Sequence, residues 1–349
     1  MSPLIVAVSV ATATTCIAIL ALQRLAPLLH LVDTPVGRKQ HTSATPQVGG
    51  IAITLGLLTL YFTMPSFFLH YWAVFASALV LMIVGVIDDI RPVHSAVRML
   101  IQIGIGCVIH FQANLPFLSV GDIWFMGDLG LGPFSLTFTC IAVVGGVNAI
   151  NMMDGLDGLC GLMVSTTLAF LAGMALYAGY LDVFLLAFTL LSVVLVFLLF
   201  NYRFPWNNRA RIYLGDSGAY VLGFLITVLF LMASQGHYTG QIQVLTPVTA
   251  LWLLFIPLID IAGVIWRRSR RSRWPVSDDR EHLHYILVDS GVPVSRAVNG
   301  LFMASLLLAG LGVTLFYLGV NESWSYVIFM ACCVAYFLVT NRTTRQAAD

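Results

Sequence analysis

Long apolar stretches separated by short polar segments dominate the chain, and they predict a bundle of membrane-spanning helices. A helix needs about 20 apolar residues to cross a bilayer, and these runs are too continuous for the alternating strands of a membrane barrel. We expect an all-α, polytopic membrane protein with a single domain over residues 1–349. Eleven spans are predicted, near residues 3–22, 47–69, 71–88, 95–113, 133–151, 157–179, 183–200, 213–233, 244–266, 296–318 and 322–340.

Composition supports a membrane protein, since 59% of the residues are hydrophobic and only 9% are charged. A soluble domain carries about 25% charged residues. The first apolar stretch has no basic segment before it, so we interpret it as a retained span and not as a cleaved signal peptide. The six cysteines lie in or beside apolar runs without metal-ligand spacing, which favours ordinary helix positions.

The basic residues predict the orientation. All 17 lysines and arginines fall in or beside one set of alternate loops, and the opposite loops have none. The positive-inside rule places that set in the cytoplasm, with the N-terminus periplasmic and the C-terminus cytoplasmic. The cytoplasmic loops are then near residues 23–46, 88–95, 201–212 and 267–295.

The segment NAINMMDGLDGL carries four polar residues at the predicted junction of two spans. Asn148, Asn151, Asp154 and Asp157 recur at a spacing of three, so in a helix they would fall near one face. The glycines among them let the backbone break and approach a ligand. Polar caps at a helix junction are the alternative. Because acidic residues are not sorted by topology, their concentration at cytoplasmic helix ends indicates function.

Two adjacent carboxylates end the third predicted span. Asp88 and Asp89 repel each other unless a cation or a shared proton relieves them. This pattern predicts a metal site or a base facing a phosphate, and an acidic turn that only ends the helix is the alternative. Arg98 follows in the next span, where it could bind phosphate oxygens or simply extend to the membrane surface.

Two further motifs provide oxygen and imidazole groups. Asp216, in GDSG at a predicted helix start, is a candidate Mg²⁺ ligand or an ordinary N-cap. Arg280, His282 and His284 lie in DREHLHYIL, where they could hydrogen-bond sugar and diphosphate groups or form a solvated loop. The run RRSRRSR fits contact with anionic lipids. Nucleic-acid binding is not expected, since no folded basic domain accompanies the run.

Together these segments resemble the polyprenyl-phosphate N-acetylhexosamine-1-phosphate transferase family, and within it the bacterial undecaprenyl-phosphate GlcNAc-1-phosphate transferases. The resemblance extends from about Val32 to Gly291. The matching segments, in the family's order, are VDTPVGRKQH, PQVGGI, GVIDDI, NAINMMDGLDGL, FNYRFPW, IYLGDSGAYVLGF, IPLIDIAGVIWRR and DREHLHYIL.

The resemblance implies transfer of GlcNAc-1-phosphate from UDP-GlcNAc to undecaprenyl phosphate, with release of UMP, at the cytoplasmic face of the bacterial inner membrane. The resemblance also implies that this transfer is the first membrane step in the synthesis of a cell-surface polysaccharide. The implied catalytic residues are Asp88, as base, and Asp89, assisting it. The implied ligands of Mg²⁺, or of Mn²⁺, are Asp216, Asp154 and Asp157. The implied substrate-binding residues are Arg98, Asn148, Asn151, Asn201, His41, Arg280, His282 and His284.

One departure bears on the sugar. Relatives that use GlcNAc commonly read HIHH where this chain has HLHY, so Tyr285 replaces a histidine and another UDP-HexNAc donor stays open. A single displacement is preferred, and a covalent aspartyl intermediate is the alternative. The partners expected besides the substrates are membrane lipids, with a homodimer as an open alternative. A secondary transporter and an inactive lipid-binding scaffold are the alternative hypotheses from other functional classes.

Overall fold

A computed structural model describes residues 3–33, 44–204, 207–270 and 282–346. The structure is 75% helical and contains almost no strand. The described helices are α1 (Pro3–Leu25), α2 (Gly49–Leu58), α3 (Leu60–Thr63), α4 (Pro65–His70), α5 (Trp72–Ile90), α6 (Ser95–Phe111), α7 (Ser135–Met153), α8 (Leu159–Ala178), α9 (Leu181–Asn201), α10 (Gly215–Ser234), α11 (Gly236–Thr239), α12 (Pro247–Leu253), α13 (Phe255–Arg270), α14 (Leu283–Asp289), α15 (Val294–Tyr317) and α16 (Glu322–Gln346). The described strands are β1 (Val32–Asp33) and β2 (Thr45–Pro46).

Several of these helices are long and apolar enough to cross a bilayer, so the chain is a multi-pass membrane protein, as predicted. Within the described part of the chain, seven helices meet this test on their own: α1, α5, α7, α8, α9, α10 and α15. The bent pair α12–α13 passes it as one span, and α2–α3, α6 and the apolar part of α16 are shorter apolar helices. Each predicted span overlaps one of these segments, and the number eleven stays a prediction.

Helix α10 lies at the centre of the bundle. Within its most apolar 18-residue window, 94% of the residues are buried inside the protein, and α5, α7 and α2 pack around it. A helix that is apolar on all sides is expected where protein surrounds it. The first turn of α10, which carries Asp216, is therefore enclosed by other helices.

Glycines allow this close packing around the start of α10. A side chain at Gly50 on α2 would collide with the backbone of Gly218 on α10, and one at Gly85 on α5 would collide with the backbone of Ser217. Small residues let the backbones of membrane helices approach closely. The glycines of PQVGGI and of GDSG therefore act as a pair that brings α2 against α10.

We expect Gly50→Ala to destabilise the bundle, because the backbone that its Cβ would meet cannot rotate away. Overpacking of this kind costs about 1–3 kcal/mol, and more when backbone must move. The measurement is thermal unfolding in detergent. Gly104→Ala is the matched control, since a Cβ there meets nothing within 4 Å, and it should unfold at or above the temperature of the unaltered protein. Equal unfolding temperatures for the two variants would contradict the packing of α2 on α10.

At the end of the bundle away from Asp216, the side chains of the buried Gln235 and the half-buried Glu322 hold the loop between α6 and α7. Gln235, just after α10, accepts the N–H of Ser119 at 2.9 Å. The Glu322 carboxylate accepts the N–H of Asp122 at 3.0 Å and that of Val248 at 3.0 Å. The loop between α6 and α7 is thus tied to α10, α12 and α16. The acidic groups at this end have partners in the fold and lie apart from the candidate site.

Helices α12 and α13 meet at Leu254 with a bend of 83°. The carbonyl of Leu253, freed by the break, accepts the hydroxyl of Thr167 at 2.8 Å. The indole N–H of Trp252 donates to the Ser325 hydroxyl at 3.0 Å. The polar groups at the break therefore find hydrogen-bond partners within the protein. The sequence around the break is uniformly apolar and did not predict the bend.

A short strand pair leads the chain toward the site. In the antiparallel pair, Val32 lies opposite Pro46, and the Pro46 carbonyl accepts the N–H of Tyr213 at 2.8 Å. The segment before α2 therefore runs beside the segment before α10. His41 and Arg280 lie outside the described residues, so their substrate contacts stay predictions.

Candidate active site

The predicted carboxylates converge at one end of the bundle, where α5 and α7 end and α6 and α10 begin. Asp88 and Asp89 lie on the last turn of α5, Asp154 directly follows α7, and Asp216 is on the first turn of α10. Their carboxyl groups lie within electrostatic reach of one another. The fold thus joins motifs that are more than 120 residues apart in the chain.

Asp88 is held by three donors. Its Oδ2 accepts hydrogen bonds from Arg98 Nη1 at 2.7 Å and from the Tyr220 hydroxyl at 2.6 Å, and its Oδ1 accepts the N–H of Val93 at 2.7 Å. Arg98 also donates to the Tyr220 hydroxyl at 2.8 Å. The Asp88 side chain is 4% exposed while that of Arg98 is 26% exposed. The carboxylate is therefore fixed in place, and the guanidinium still reaches the surface of the site.

Asp89 caps α10 from a different helix. Its Oδ1 accepts the N–H of Asp216 at 2.8 Å and its Oδ2 accepts the N–H of Ser217 at 3.3 Å. The first N–H groups of a helix lack partners within the helix, and they favour a negative charge. Gly215 has a φ of +74°, and a Cβ there would lie 2.7 Å from the Asp89 carboxylate. Both oxygens of the predicted assisting base are thus engaged in holding Asp216 in place.

The Asp216 side chain faces the end of α7. Asn151, on the last turn of α7, lies close enough to the Asp216 carboxyl to stabilise its charged form, and the Asp88 carboxyl lies close to it as well. Because Asp89 holds the backbone of Asp216, the side chain of Asp216 is directed into the space between α5, α7 and α10. The structure therefore brings the predicted residues Asn151 and Asp216 together, and their roles toward substrate or metal stay predictions.

Asp154 carries an unusual charge environment. Burial, followed by the charges of Asp216, Asp89 and Asp157, raises the pKa of the Asp154 carboxyl to about 8. A raised carboxyl pKa means that the surroundings disfavour another negative charge. A bound cation would relieve this repulsion.

The carboxylates of the site have the chemistry that a magnesium ion would require, although they do not form a complete set of ligands by themselves. Among the described residues, no three His, Cys, Asp or Glu side chains form a ready-made metal cage. Mg²⁺ commonly binds through one or two carboxylates together with substrate phosphates, and it keeps several waters. Asp154 and Asp216 supply such hard oxygen donors, and a cation between them would favour their charged forms. These two side chains are the ones that would hold the ion.

Asp157, the third predicted metal ligand, has protein partners. Its Oδ2 accepts Arg203 Nε at 2.8 Å and the N–H of Ala210 at 3.2 Å. The Asp157 side chain is 8% exposed and that of Arg203 is 33% exposed. The contact ties the NAINMMDGLDGL segment to the loop between α9 and α10.

Two predicted substrate-binding amides also bind protein. Asn201 is buried. Its Oδ1 accepts the N–H of Gly158 at 2.8 Å and its Nδ2 donates to the carbonyl of Ile212 at 2.8 Å. Asn148 donates to Gln102 Oε1 at 2.8 Å. Both amides therefore position backbone and helices around the site, and their substrate contacts stay predictions.

The histidine segment packs on the NAINMMDGLDGL segment. His282 Nδ1 lies 2.7 Å from Asp260 Oδ2, and the N–H of Leu283 donates to Asp260 Oδ1 at 2.8 Å. His284 is fully buried, and its ring is nearly parallel to that of His282, with centroids 5.6 Å apart. A Cβ at Gly155 would collide with His284 Nε2. Glycine at this position lets the two segments meet.

Two open clefts flank the loop between α9 and α10. One holds about 440 Å³ beside Thr45 and 207–211. The other holds about 550 Å³ and includes Arg203, the partner of Asp157. Asp88, Asp154 and Asp216 line neither cleft, and Arg203 alone connects the second cleft to an acidic residue, Asp157.

Comparison with known proteins covers this end of the bundle and most of the chain. The model of glycosyl transferase family 4 matches residues 71–234, which contain Asp88, Asp154 and Asp216. An undecaprenyl-phosphate alpha-N-acetylglucosaminyl 1-phosphate transferase of Salmonella typhi is 31% identical over 324 residues, which are 93% of this chain and 86% of that protein. The chain belongs to glycosyl transferase family 4.

Other relatives agree. The protein of the same name from Escherichia coli (strain K12) is 30% identical over 316 residues, which are 90% of this chain and 84% of that protein. The one from Pasteurella multocida (strain Pm70) is 30% identical over 335 residues, 94% of this chain and 90% of that protein. The predicted resemblance to this branch of the family is confirmed.

Three residues of this glycosyl transferase site were absent from the sequence prediction. Tyr220 lies one helical turn after Asp216, and that spacing places both on one face of α10, so a signal existed. Arg203, in FNYRFPW, was used only as one of the basic residues that predict the membrane orientation. Asp260 contacts a histidine 22 residues later in the chain, and nothing in its apolar surroundings indicated that contact.

Proposed function

We propose that the protein transfers GlcNAc-1-phosphate from UDP-GlcNAc to undecaprenyl phosphate and releases UMP, the activity that its relatives' names describe. A phosphate oxygen of the lipid attacks the sugar-bearing phosphorus, the bond from that phosphorus to the UMP oxygen breaks, and UMP leaves. The observation that carries the proposal is the meeting of the Asp88–Arg98 pair with Asp154 and Asp216 in one polar site.

The residues on the acceptor side suit a phosphate nucleophile. Attack of one phosphate on another requires charge neutralisation and in-line positioning more than covalent help from the protein. Arg98 is partly exposed and oriented by Asp88 and Tyr220, so it can bind the lipid phosphate. Asp88 lies where it can take the proton of that phosphate when Arg98 shifts toward the incoming anion.

The residues on the donor side suit a nucleotide diphosphate. Asp154 and Asp216 would hold Mg²⁺, which supplies charge neutralisation at the diphosphate. Asn151 lies beside the Asp216 carboxyl, and Asp89 fixes the backbone at Asp216. His282 and His284 border the same segment; because both are buried in this structure, the sugar and diphosphate contacts that the family resemblance implies for them would require the segment 282–284 to shift when the donor binds.

We further propose that the site faces the cytoplasm of a bacterial inner membrane, with eleven spans and a periplasmic N-terminus. Arg98 and Arg203 lie at the end of the bundle that carries the site, and the loop between α6 and α7 at the other end has no lysine or arginine. The positive-inside rule then supports a cytoplasmic site. Within the described part of the chain, the seven long helices, the bent pair and the three shorter apolar helices give eleven segments, which agrees with this proposal.

A secondary transporter is the alternative from another class, and the 83° break between α12 and α13 is the feature that would favour it. Transporters place polar groups at such breaks near the middle of the membrane. Here the freed Leu253 carbonyl accepts the Thr167 hydroxyl, and Leu253, Leu254 and Phe255 are buried apolar residues. The carboxylates lie at the end of the bundle, which supports the transferase.

The test is an assay of the purified protein with undecaprenyl phosphate, Mg²⁺ and a panel of UDP-HexNAc donors. We expect UMP release with UDP-GlcNAc, dependence on the lipid, and loss of release in a chelator. Absence of UMP with every donor would overturn the transferase proposal. A phosphosugar adduct on Asp88 or Asp89 formed without lipid would replace the single displacement with a covalent route.

A further inference from the structure

Asp260 is a buried carboxylate whose two oxygens bind one distant segment. It lies on α13 and is 1% exposed. Oδ2 lies 2.7 Å from His282 Nδ1, and Oδ1 accepts the N–H of Leu283 at 2.8 Å. These two contacts form a clamp on the first residues of the histidine segment. A buried charge is costly unless it is paired and hydrogen-bonded. Loss of either partner of this clamp would therefore leave the other one buried and unpaired.

Other groups around Asp260 come from α13 and α16. Tyr336 on α16 interacts with both Asp260 and Arg267, and Arg267 is itself buried. The carboxylate therefore lies within a polar network that joins two membrane helices to the segment 282–284. This network anchors the histidine segment to rigid helices at its base.

A chain of contacts leads from Asp260 to the donor side of the site. His282 lies parallel to His284 at a centroid distance of 5.6 Å, with an angle of 13° between the rings. His284 in turn lies directly over Gly155. Gly155 follows Asp154, the carboxylate that would hold the metal ion. A rotation of the His282 ring would therefore displace His284, and through it the backbone at Gly155, which is next to Asp154.

We propose that Asp260 is a positioning residue for the transfer reaction: it sets the tautomer and orientation of His282 and, through His284, the placement of the histidine segment against the Asp154 segment. This inference rests on the proposed function. A carboxylate that accepts from Nδ1 keeps the proton on that nitrogen and directs Nε2 as the second hydrogen-bonding atom. Side chains that are held this way keep substrate groups in productive geometry.

The test compares Asp260→Asn, His282→Ala and the double variant by steady-state kinetics of UMP release. Asparagine keeps the size and can still accept from the Leu283 N–H, but it loses the charge that holds His282. We expect kcat/KM for UDP-GlcNAc to fall about 10–100-fold, mainly through KM for this donor, with KM for undecaprenyl phosphate unchanged. The double variant should be no worse than His282→Ala alone. Effects that multiply, or normal kinetics for Asp260→Asn, would overturn the inference.

The matched control is Asp182→Asn, which removes another carboxylate at the opposite end of the bundle, where Asp182 accepts the Tyr71 hydroxyl at 2.9 Å. It should leave all kinetic constants near those of the unaltered protein. If Asp260→Asn does not fold, the activities of His282→Gln and His282→Phe are compared. Glutamine keeps an N–H donor for Asp260 and phenylalanine has none, so we expect His282→Gln to be the more active variant. Equal activity of these two variants would overturn the inference. Lack of UMP release by the unaltered protein would overturn the proposed function instead.

Discussion

Asp88→Asn should lower the rate of UMP release about a thousandfold, the range expected when a group that handles a proton is removed. The three groups that face the Asp88 carboxylate, from Arg98, Tyr220 and the Val93 backbone, all donate hydrogen bonds. An asparagine must turn its NH₂ toward at least one of these donors. The variant therefore loses the proton acceptor and the orientation of Arg98 together. The measurement is single-turnover release of UMP at saturating lipid.

The control for this variant is again Asp182→Asn, since it also removes a carboxylate that accepts a tyrosine hydroxyl. That variant should retain its activity. Thermal unfolding in detergent separates loss of chemistry from loss of fold. A folded Asp88→Asn protein with nearly normal turnover would remove Asp88 from the acceptor side of the mechanism.

Asp216→Asn should reduce turnover about a hundredfold or more and weaken magnesium-dependent binding of the donor, because charge stabilisation by a metal ion is worth several kcal/mol. The fold should survive, since Asp89 binds the backbone N–H of residue 216 and not its side chain. Calorimetric titration of UDP-GlcNAc should show weaker binding than in the unaltered protein when Mg²⁺ is present. In a chelator the two proteins should bind alike.

The exposed carboxylate of Asp289, at the end of α14, supplies the control for Asp216. Asp289→Asn should titrate like the unaltered protein with and without Mg²⁺. If Asp216→Asn binds the donor normally in Mg²⁺, Asp216 does not hold the ion, and Asp154 would be the carboxylate to test next.

The length of the apolar runs predicted most of the helices, because the bilayer fixes how long a spanning helix must be. Each predicted span overlaps a helix or a group of helices. The second predicted span is divided among α2, α3 and α4, and the ninth bends at Leu254. Such breaks depend on hydrogen bonds to distant side chains such as Thr167. The pattern of apolar residues does not predict which distant side chains come close.

The site was predicted as a set of residue types and not as a set of contacts. Asp88, Asp154 and Asp216 were singled out because charged groups at membrane-helix ends are expensive and usually functional, and the structure brings them to one end of the bundle, while their roles stay predictions. The division of work between Asp88 and Asp89 was not predictable. It depends on which carboxylate faces Arg98 and which faces the first N–H groups of α10, and helix rotation in the packed bundle decides that.

The central place of α10 has a consequence for the making of the protein. Asp88 and Asp89 find their partners Tyr220 and Asp216 on a helix that is synthesised more than 120 residues later. At ordinary ribosomal speed that delay is on the order of ten seconds. During this interval the nascent chain holds two adjacent carboxylates without Tyr220 or the cap contacts. A chain that stops short of Gly215 therefore cannot complete the site, however many helices it has already inserted.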